Sequence, residues 1–342
     1  MADGKITHHN HYVPQFYLKN WSLDGKQVYV YSLLVPDARI PYWVPKNIKS
    51  TAVWNDFYTR TEGEKEIDDF EKWFDKEFET PVKKIFVCML NDHELNKDES
   101  EILSRFVAAQ HLRTPAHLNL LLAQLRITMP KVLDAVMLKL PKQLKKNPKM
   151  SYTGSQISEE EMLLPIKVSL NSIDEDTSEV KVESIIGKGY YLYELKYLLT
   201  KTVSVMYKHN WHVIHAADNI FFPTSDDPVI CMNYISEQEY DFKGGWGKKN
   251  GIIIMPISPT HLLITQIGSK ISCAQLDYSE HWSQFFRKII IEHAHRYVYA
   301  IKPQKGMLAI NPRVINADLY EAENDEMAGW HDEQMNSEAQ LK

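Results

Sequence analysis

The chain has 342 residues, with 45 acidic against 39 basic side chains and a formal charge of −6. Its 44% hydrophobic and 25% charged content is ordinary globular composition, which excludes a disordered or low-complexity chain. No run approaches the roughly 18 apolar residues of a membrane-spanning helix.

In chain order, the first β-rich run is Gln27 to Leu34, after the Asp24-Gly25 turn signal, with Ile40 to Val44 as its expected hairpin partner. Residues 64 to 90 read as helix, because Ile67, Phe70, Trp73, Phe74 and Phe78 recur at three- and four-residue steps; Pro81 marks a break or a new first turn. Ser100 to Leu112 predicts a second helix. Pro115 opens a third through Leu118, Leu121, Leu122 and Leu125, kinked or stopped near Pro130.

Residues 126 to 149 hold seven bases and one acid, the only strongly basic segment. It is the expected contact for a nucleic acid, with Lys142, Lys145 and Lys146 as substrate-binding side chains. The stretch 141 to 185 reads as an insertion. Tyr190 to Tyr207 predicts a long helix. Short strands follow at Trp211 to His215, Asn219 to Phe222, Val229 to Met232, Gly251 to Met255 and His261 to Thr265, before a helix at Glu280 to Arg296. The expected fold class is α+β: a helix-rich N-terminal half packed on a mostly antiparallel sheet from the C-terminal half, in a single domain over residues 1–316. Residues 317–342 carry seven acids more than bases and read as a flexible acidic tail on a near-neutral body, so the total charge alone does not exclude a polyanion partner.

The N-terminus holds no apolar core of the secretory kind, and the three cysteines form no metal-type pair. A cytoplasmic location with reduced thiols is expected, and no membrane partner. The 14 histidines cluster at 8–11, 209–215 and 293–295. A neutral imidazole ligates metals or moves protons near pH 7. His9 and His11 are therefore candidate ligands; the alternative is an N-terminal segment anchored by its aromatics. Asp226 and Asp227, before Pro228 at a strand-end turn, either cap that turn or hold a hard cation. The four residues together form the candidate set for a divalent metal: Mg, Mn or Zn. Arg105 and His111 have the Arg-x5-His spacing that resembles metal-independent HEPN-type ribonucleases, although six residues rotate the two side chains about 120° apart. For Arg113 the structural alternative is an ion pair with the acidic helix of residues 64 to 79. No phosphate-binding loop, dinucleotide fingerprint, zincin or nucleophile-elbow motif is present, so no nucleotide cofactor is expected.

Five segments together resemble a known family. They are His11-Tyr12-Val13-Pro14-Gln15-Phe16-Tyr17-Leu18 with Trp21; Asp56-Phe57-Tyr58; Gln110 with Arg113-Thr114-Pro115; Thr224-Ser225-Asp226-Asp227-Pro228-Val229; and Pro256-Ile257-Ser258-Pro259. They look like the bacterial domain of unknown function 4238 family, over roughly residues 8 to 300. The usual fourth motif reads Ser-Asp-Asn-Pro, so Asp227 departs from it and Asp226 gains weight. The resemblance implies the extent of the fold and the key positions, not a reaction.

The expected function is a hydrolase, a metal-dependent nuclease or phosphodiesterase of bacterial defence or mobile-element conflict. Its catalytic set is His11, Gln15, Gln110, Arg113 and Asp226. In this scheme Asp226 and His11 bind a metal or activate water, and Arg113 stabilises phosphate charge. The alternative is a non-enzymatic binding module whose motif residues form a buried hydrogen-bonded network. A third is the metal-independent ribonuclease built on Arg105 and His111.

Overall fold

A computed structural model gives the fold and describes residues 6–62, 65–146, 166–172, 178–269 and 271–341. It mixes helices with antiparallel sheets, an α+β fold. The larger sheet has five antiparallel strands in the order His212–His215, His261–Gln266, Ile252–Pro256, Ile230–Ser236, Glu239–Asp241. Its central strands are hydrophobic on both faces, because both faces are covered. Ile253, Met255 and Leu263 join the core built with the N-terminal helices. The alternate residues Ile254, Leu262 and Ile264 pack with Phe285, Phe286, Ile289 and Ile290 of the helix Glu280–His293.

The smaller sheet has four strands, ordered Thr224–Ser225, Tyr297–Ala300, Gln27–Ser32, Val44–Asn47. The hairpin partner of Gln27–Ser32 therefore lies a few residues beyond the expected run, at Val44–Asn47. This sheet interleaves both ends of the chain, so a division into a helical first half and a sheet-forming second half does not describe it. Asn219 to Phe222 is not a strand, whereas Tyr297–Ala300, for which no element was expected, is one.

The predicted 64–90 helix starts late and is broken in the middle. A strand Lys65–Ile67 precedes it, and a π-helical turn Asp75–Glu79 separates the helices Asp69–Phe74 and Thr80–Met89. Lys97–Leu112 opens with a capping box, in which Asn96 and Glu99 satisfy each other's backbone N–H. Pro115–Lys146 runs on past Pro130, 32 residues in all and about 48 Å long. An interior proline costs about 3 kcal/mol, and here the rest of the helix outweighs it. The Tyr190–Tyr207 stretch is shorter as α-helix than its periodicity predicts: Lys188–Tyr197, then a π-helical turn Leu198–Thr202 and a 3-10 helix Val203–Lys208. Within the expected insertion, the strands Ile166–Ser172 and Ser178–Ser184 pair antiparallel; residues 147–165 lie outside the described part, as do the side chains of Lys142, Lys145 and Lys146.

The acidic tail is a helix, Ala317–Leu341, docked on the body rather than free. Trp330 is 5% exposed and packs on Trp54 and Phe57, with ring centroids 5.3 and 5.8 Å apart. Trp54 Nε1 donates to the Met327 carbonyl at 2.8 Å. Lys188 Nζ meets His331 Nδ1 at 2.6 Å. These partners are distant in sequence, so local patterning does not reveal them. Among the described residues no helix is long and apolar enough to cross a membrane.

Candidate functional site

Three of the motif segments are stitched together beneath the two sheets. Tyr17 OH donates to the Pro256 carbonyl at 2.6 Å and lies 2.7 Å from Thr224 Oγ1. Trp21 Nε1 donates to the Phe222 carbonyl at 2.8 Å, and Asn20 Nδ2 to that of Ile257, also at 2.8 Å. These contacts join the N-terminal segment to the Thr224–Val229 and Pro256–Pro259 segments through buried backbone carbonyls, which need partners.

A second layer surrounds the corner between the helices Lys97–Leu112 and Pro115–Lys146. Gln110 Nε2 donates to the Tyr12 carbonyl at 2.9 Å, and Gln110 Oε1 accepts from Arg113 Nε at 3.3 Å. Arg113 is 1% exposed and its Nη1 donates to Glu79 Oε1 at 2.8 Å. This is the ion pair with the acidic helix that the sequence offered as the alternative. Burial opposes the Arg113 charge, but Glu79 and its neighbours outweigh it and raise the pKa. Nearby, burial pushes Glu71 up to about 7. His11 is half-buried; burial and the Arg113 charge lower its pKa, and its Nε2 is buried without a hydrogen-bond partner. A guanidinium sealed this way against Glu79 holds the corner together and does not reach a bulky polyanion. Gln15 opens the short helix Gln15–Leu18 and is half-buried.

The loop carrying Asp226 and Asp227 faces the end of the helix Glu280–His293 and the turn after it, and the Asp227 carboxylate meets a histidine side chain. Asp226 Oδ1 accepts from the backbone N–H of His295 at 3.0 Å and Oδ2 from that of Arg296 at 2.7 Å. Burial pushes Asp226 up and His295 down, while their opposite charges act against both shifts. Asp227 Oδ2 lies 3.7 Å from His293 Nε2, and the Asp227 carbonyl accepts from His293 Nδ1 at 3.1 Å. That hydrogen bond fixes the tautomer: Nδ1 carries the proton and Nε2 is the basic nitrogen. Burial pushes Asp227 up to about 7 and lowers His293.

Thr114 Oγ1 accepts from the His117 N–H at 3.2 Å, capping the long helix, and lies 3.3 Å from Asp227 Oδ1. The positive end of that helix therefore points at the carboxylates. His117 Nε2 sits 3.6 Å from Glu194 Oε2, and neither atom has a hydrogen bond. Burial lowers His111 to about 3; it accepts from Trp246 Nε1 at 3.0 Å.

A cavity of about 120 Å³ lies against this turn, lined by Tyr12, Asn119, Asp226, His295 and Tyr297 together with Tyr320 of the C-terminal helix. At its edge Arg296 grips Glu323 with both arms of its fork: Nε donates to Oε2 at 2.8 Å, and Nη2 donates to Oε1.

Several predicted groupings are not assembled. No three of His9, His11, Asp226 and Asp227 offer ligand atoms within 4.8 Å of one another, because His9 points to solvent from its strand while His11 turns toward Arg113. Arg105 binds Glu77 at 3.2 Å and covers the Phe78 ring, whereas His111 faces Trp246; helical rotation separates them. His117, His293 and His295 were missed as site residues. The histidine cluster at 293–295 was the available signal.

No curated protein and no solved structure matches the chain. The family model described as a protein of unknown function, DUF4238, matches residues 9–303, and the chain belongs to that family.

Proposed function

We propose that the chain is a phosphodiester hydrolase of the nuclease class, working by acid–base chemistry at the Asp226–Asp227 loop. The observation that carries this is the adjacent carboxyl pair: Asp227 Oδ2 lies 3.7 Å from His293 Nε2, Asp226 is tied to the backbone N–H groups of His295 and Arg296, and burial raises both carboxyls and lowers both imidazoles. A carboxyl raised to about 7, as Asp227 is, gives up or takes a proton near neutral pH. Asp226, which borders the cavity together with His295, accepts the proton of the attacking water. The Asp227 carboxyl donates its proton to the leaving oxygen, and the two sites exchange protons with solvent before the next turnover.

The substrate class follows from Arg296. Its fork takes the Glu323 carboxylate bidentately, the geometry with which a guanidinium takes a phosphate. The long helix supports the same reading, with its positive end at the carboxylates and its far half in the basic segment of residues 126–149. Arg113, Gln110 and Gln15 then serve as scaffold.

The test is cleavage of single-stranded RNA and DNA by the purified chain, with and without Mg²⁺, Mn²⁺ or Zn²⁺. Cleavage that Asp226→Asn and His295→Ala each abolish supports the reading; intact substrates under every condition overturn it. The sealing of Arg113 and Gln110 favours one second reading, a binding module in which the same Arg296 fork holds a phosphate without cleaving it.

A further inference from the structure

The edge of the five-stranded sheet carries another group of imidazoles and carboxylates, which the acid–base reading does not use. His215 ends the strand His212–His215 and pairs in register with His261, the first residue of His261–Gln266. Their ring centroids are 4.7 Å apart. Asp92 reaches them from the turn after the helix Thr80–Met89, with φ at 57°, a conformation uncommon outside glycine. Asp92, His215 and His261 each offer one ligand atom, and these lie within 4.8 Å of one another. Among the described residues, no other three His, Cys, Asp or Glu residues do so.

Each ring is held from behind. His215 Nδ1 lies 2.8 Å from Asp277 Oδ1, and the ring stacks on Tyr278 at 4.8 Å and 4°. Its Nε2 is left facing Asp92 Oδ1 at 2.8 Å. His261 Nδ1 is engaged by Ser258 Oγ at 2.8 Å and Thr260 Oγ1 at 2.9 Å, which leaves Nε2 for a ligand. Metal-binding imidazoles are fixed in this way, through the nitrogen that does not bind the ion. Beside Asp92 and His215 lies a cavity of about 280 Å³, lined also by Trp211, His93, Glu94 and His212.

The geometry points to a binding site for one divalent transition-metal ion of the zinc class, held by Asp92, His215 and His261, with its remaining coordination position open to this cavity. Two imidazole nitrogens and one carboxylate suit Zn²⁺ and its neighbours rather than Mg²⁺ or Ca²⁺. Bonds of about 2.0–2.1 Å in a tetrahedron place ligand atoms about 3.4 Å apart. Asp92 therefore swings out by about half an ångström when the ion enters, which its exposed side chain permits. Three protein ligands with one open position are the arrangement of ions that bind water or a small ligand.

Calorimetric titration of the chelator-treated full chain with Zn²⁺ tests this, with Co²⁺ absorption reading the coordination geometry. The expected result is one ion per chain and a tetrahedral Co²⁺ spectrum. Asp92→Asn and His261→Gln each weaken binding at least about tenfold, and Asp277→Asn, which acts only through His215, weakens it by about 10- to 100-fold. Replacing His8 and His9 by alanine changes nothing. Asp92 is exposed, so its variant tests the ion without disturbing the fold, and circular dichroism checks this. No binding by the parent chain, or affinity unchanged in both Asp92→Asn and His261→Gln, overturns the site. The outcome is independent of any nuclease activity.

Discussion

The motif corner and the sheet edge are built from the same residue types and have opposite physical character. At the corner, Asp226, Asp227, His293 and His295 are enclosed, and burial drives carboxyls and imidazoles alike toward their neutral forms. At the edge, His215 stands between Asp92 and Asp277, and Asp92 reaches into water. Enclosure favours proton exchange between weakly charged partners. Access to water, with two carboxylates around one ring, favours capture of a cation. Composition alone does not separate these outcomes; the degree of enclosure does.

The largest effect that would break this comparison is at Arg113. Arg113→Ala removes a buried guanidinium and leaves the half-buried Glu79 without its partner, and is expected to cost about 3 kcal/mol, read by denaturant unfolding. A change below about 1 kcal/mol would show that the corner is more open to water than its burial indicates. Next, Asp227→Asn removes the proposed proton donor while keeping the side-chain shape. Any phosphodiester hydrolysis should fall by about 10²- to 10⁴-fold, with the unfolding midpoint nearly unchanged.

A smaller effect is pH-dependent. His111 is held neutral to about pH 3, so the folded chain binds fewer protons than the unfolded one between about 3 and 6.5. The stability it contributes is full above pH 6.5 and is lost as pH falls. Relative to His111→Asn, the parent chain should lose up to about 2 kcal/mol between pH 6.5 and 5. A parallel course of the two melting curves would remove this burial from the account. The smallest effect sharpens the contrast from the other side: Asp92→Asn should shift metal-free stability by no more than about 0.5 kcal/mol.

Much of the sheet was legible, because the strands His212–His215, Ile252–Pro256 and His261–Gln266 are dense in β-branched residues. The helices Lys97–Leu112 and Glu280–His293 were legible from their apolar stripes. What escaped depends on distant partners. Tyr297–Ala300 becomes a strand because Gln27–Ser32 and Thr224–Ser225 flank it. The C-terminal helix is fixed by Trp54, Arg296 and Lys188, from three separate parts of the chain. At the site, the motif residues Gln110, Arg113 and Asp226 stand out in the sequence as polar groups within apolar motifs, but sequence spacing does not tell a polar group that works from one that braces. Asp226 does both: it ties the backbone of His295 and Arg296, and it borders the cavity.

The helix Ala317–Leu341 lies wholly beyond the span that defines the family, residues 9–303. Yet its Trp330 covers Trp54 and Phe57, and its Glu323 neutralises Arg296. A chain ended at the family boundary would bare an aromatic patch beside an unpaired cation. Uncovered aromatic surface of that kind promotes self-association. A chain shortened to the matched region is therefore expected to self-associate more than the full chain, and its monomer–aggregate balance is where that difference would be seen.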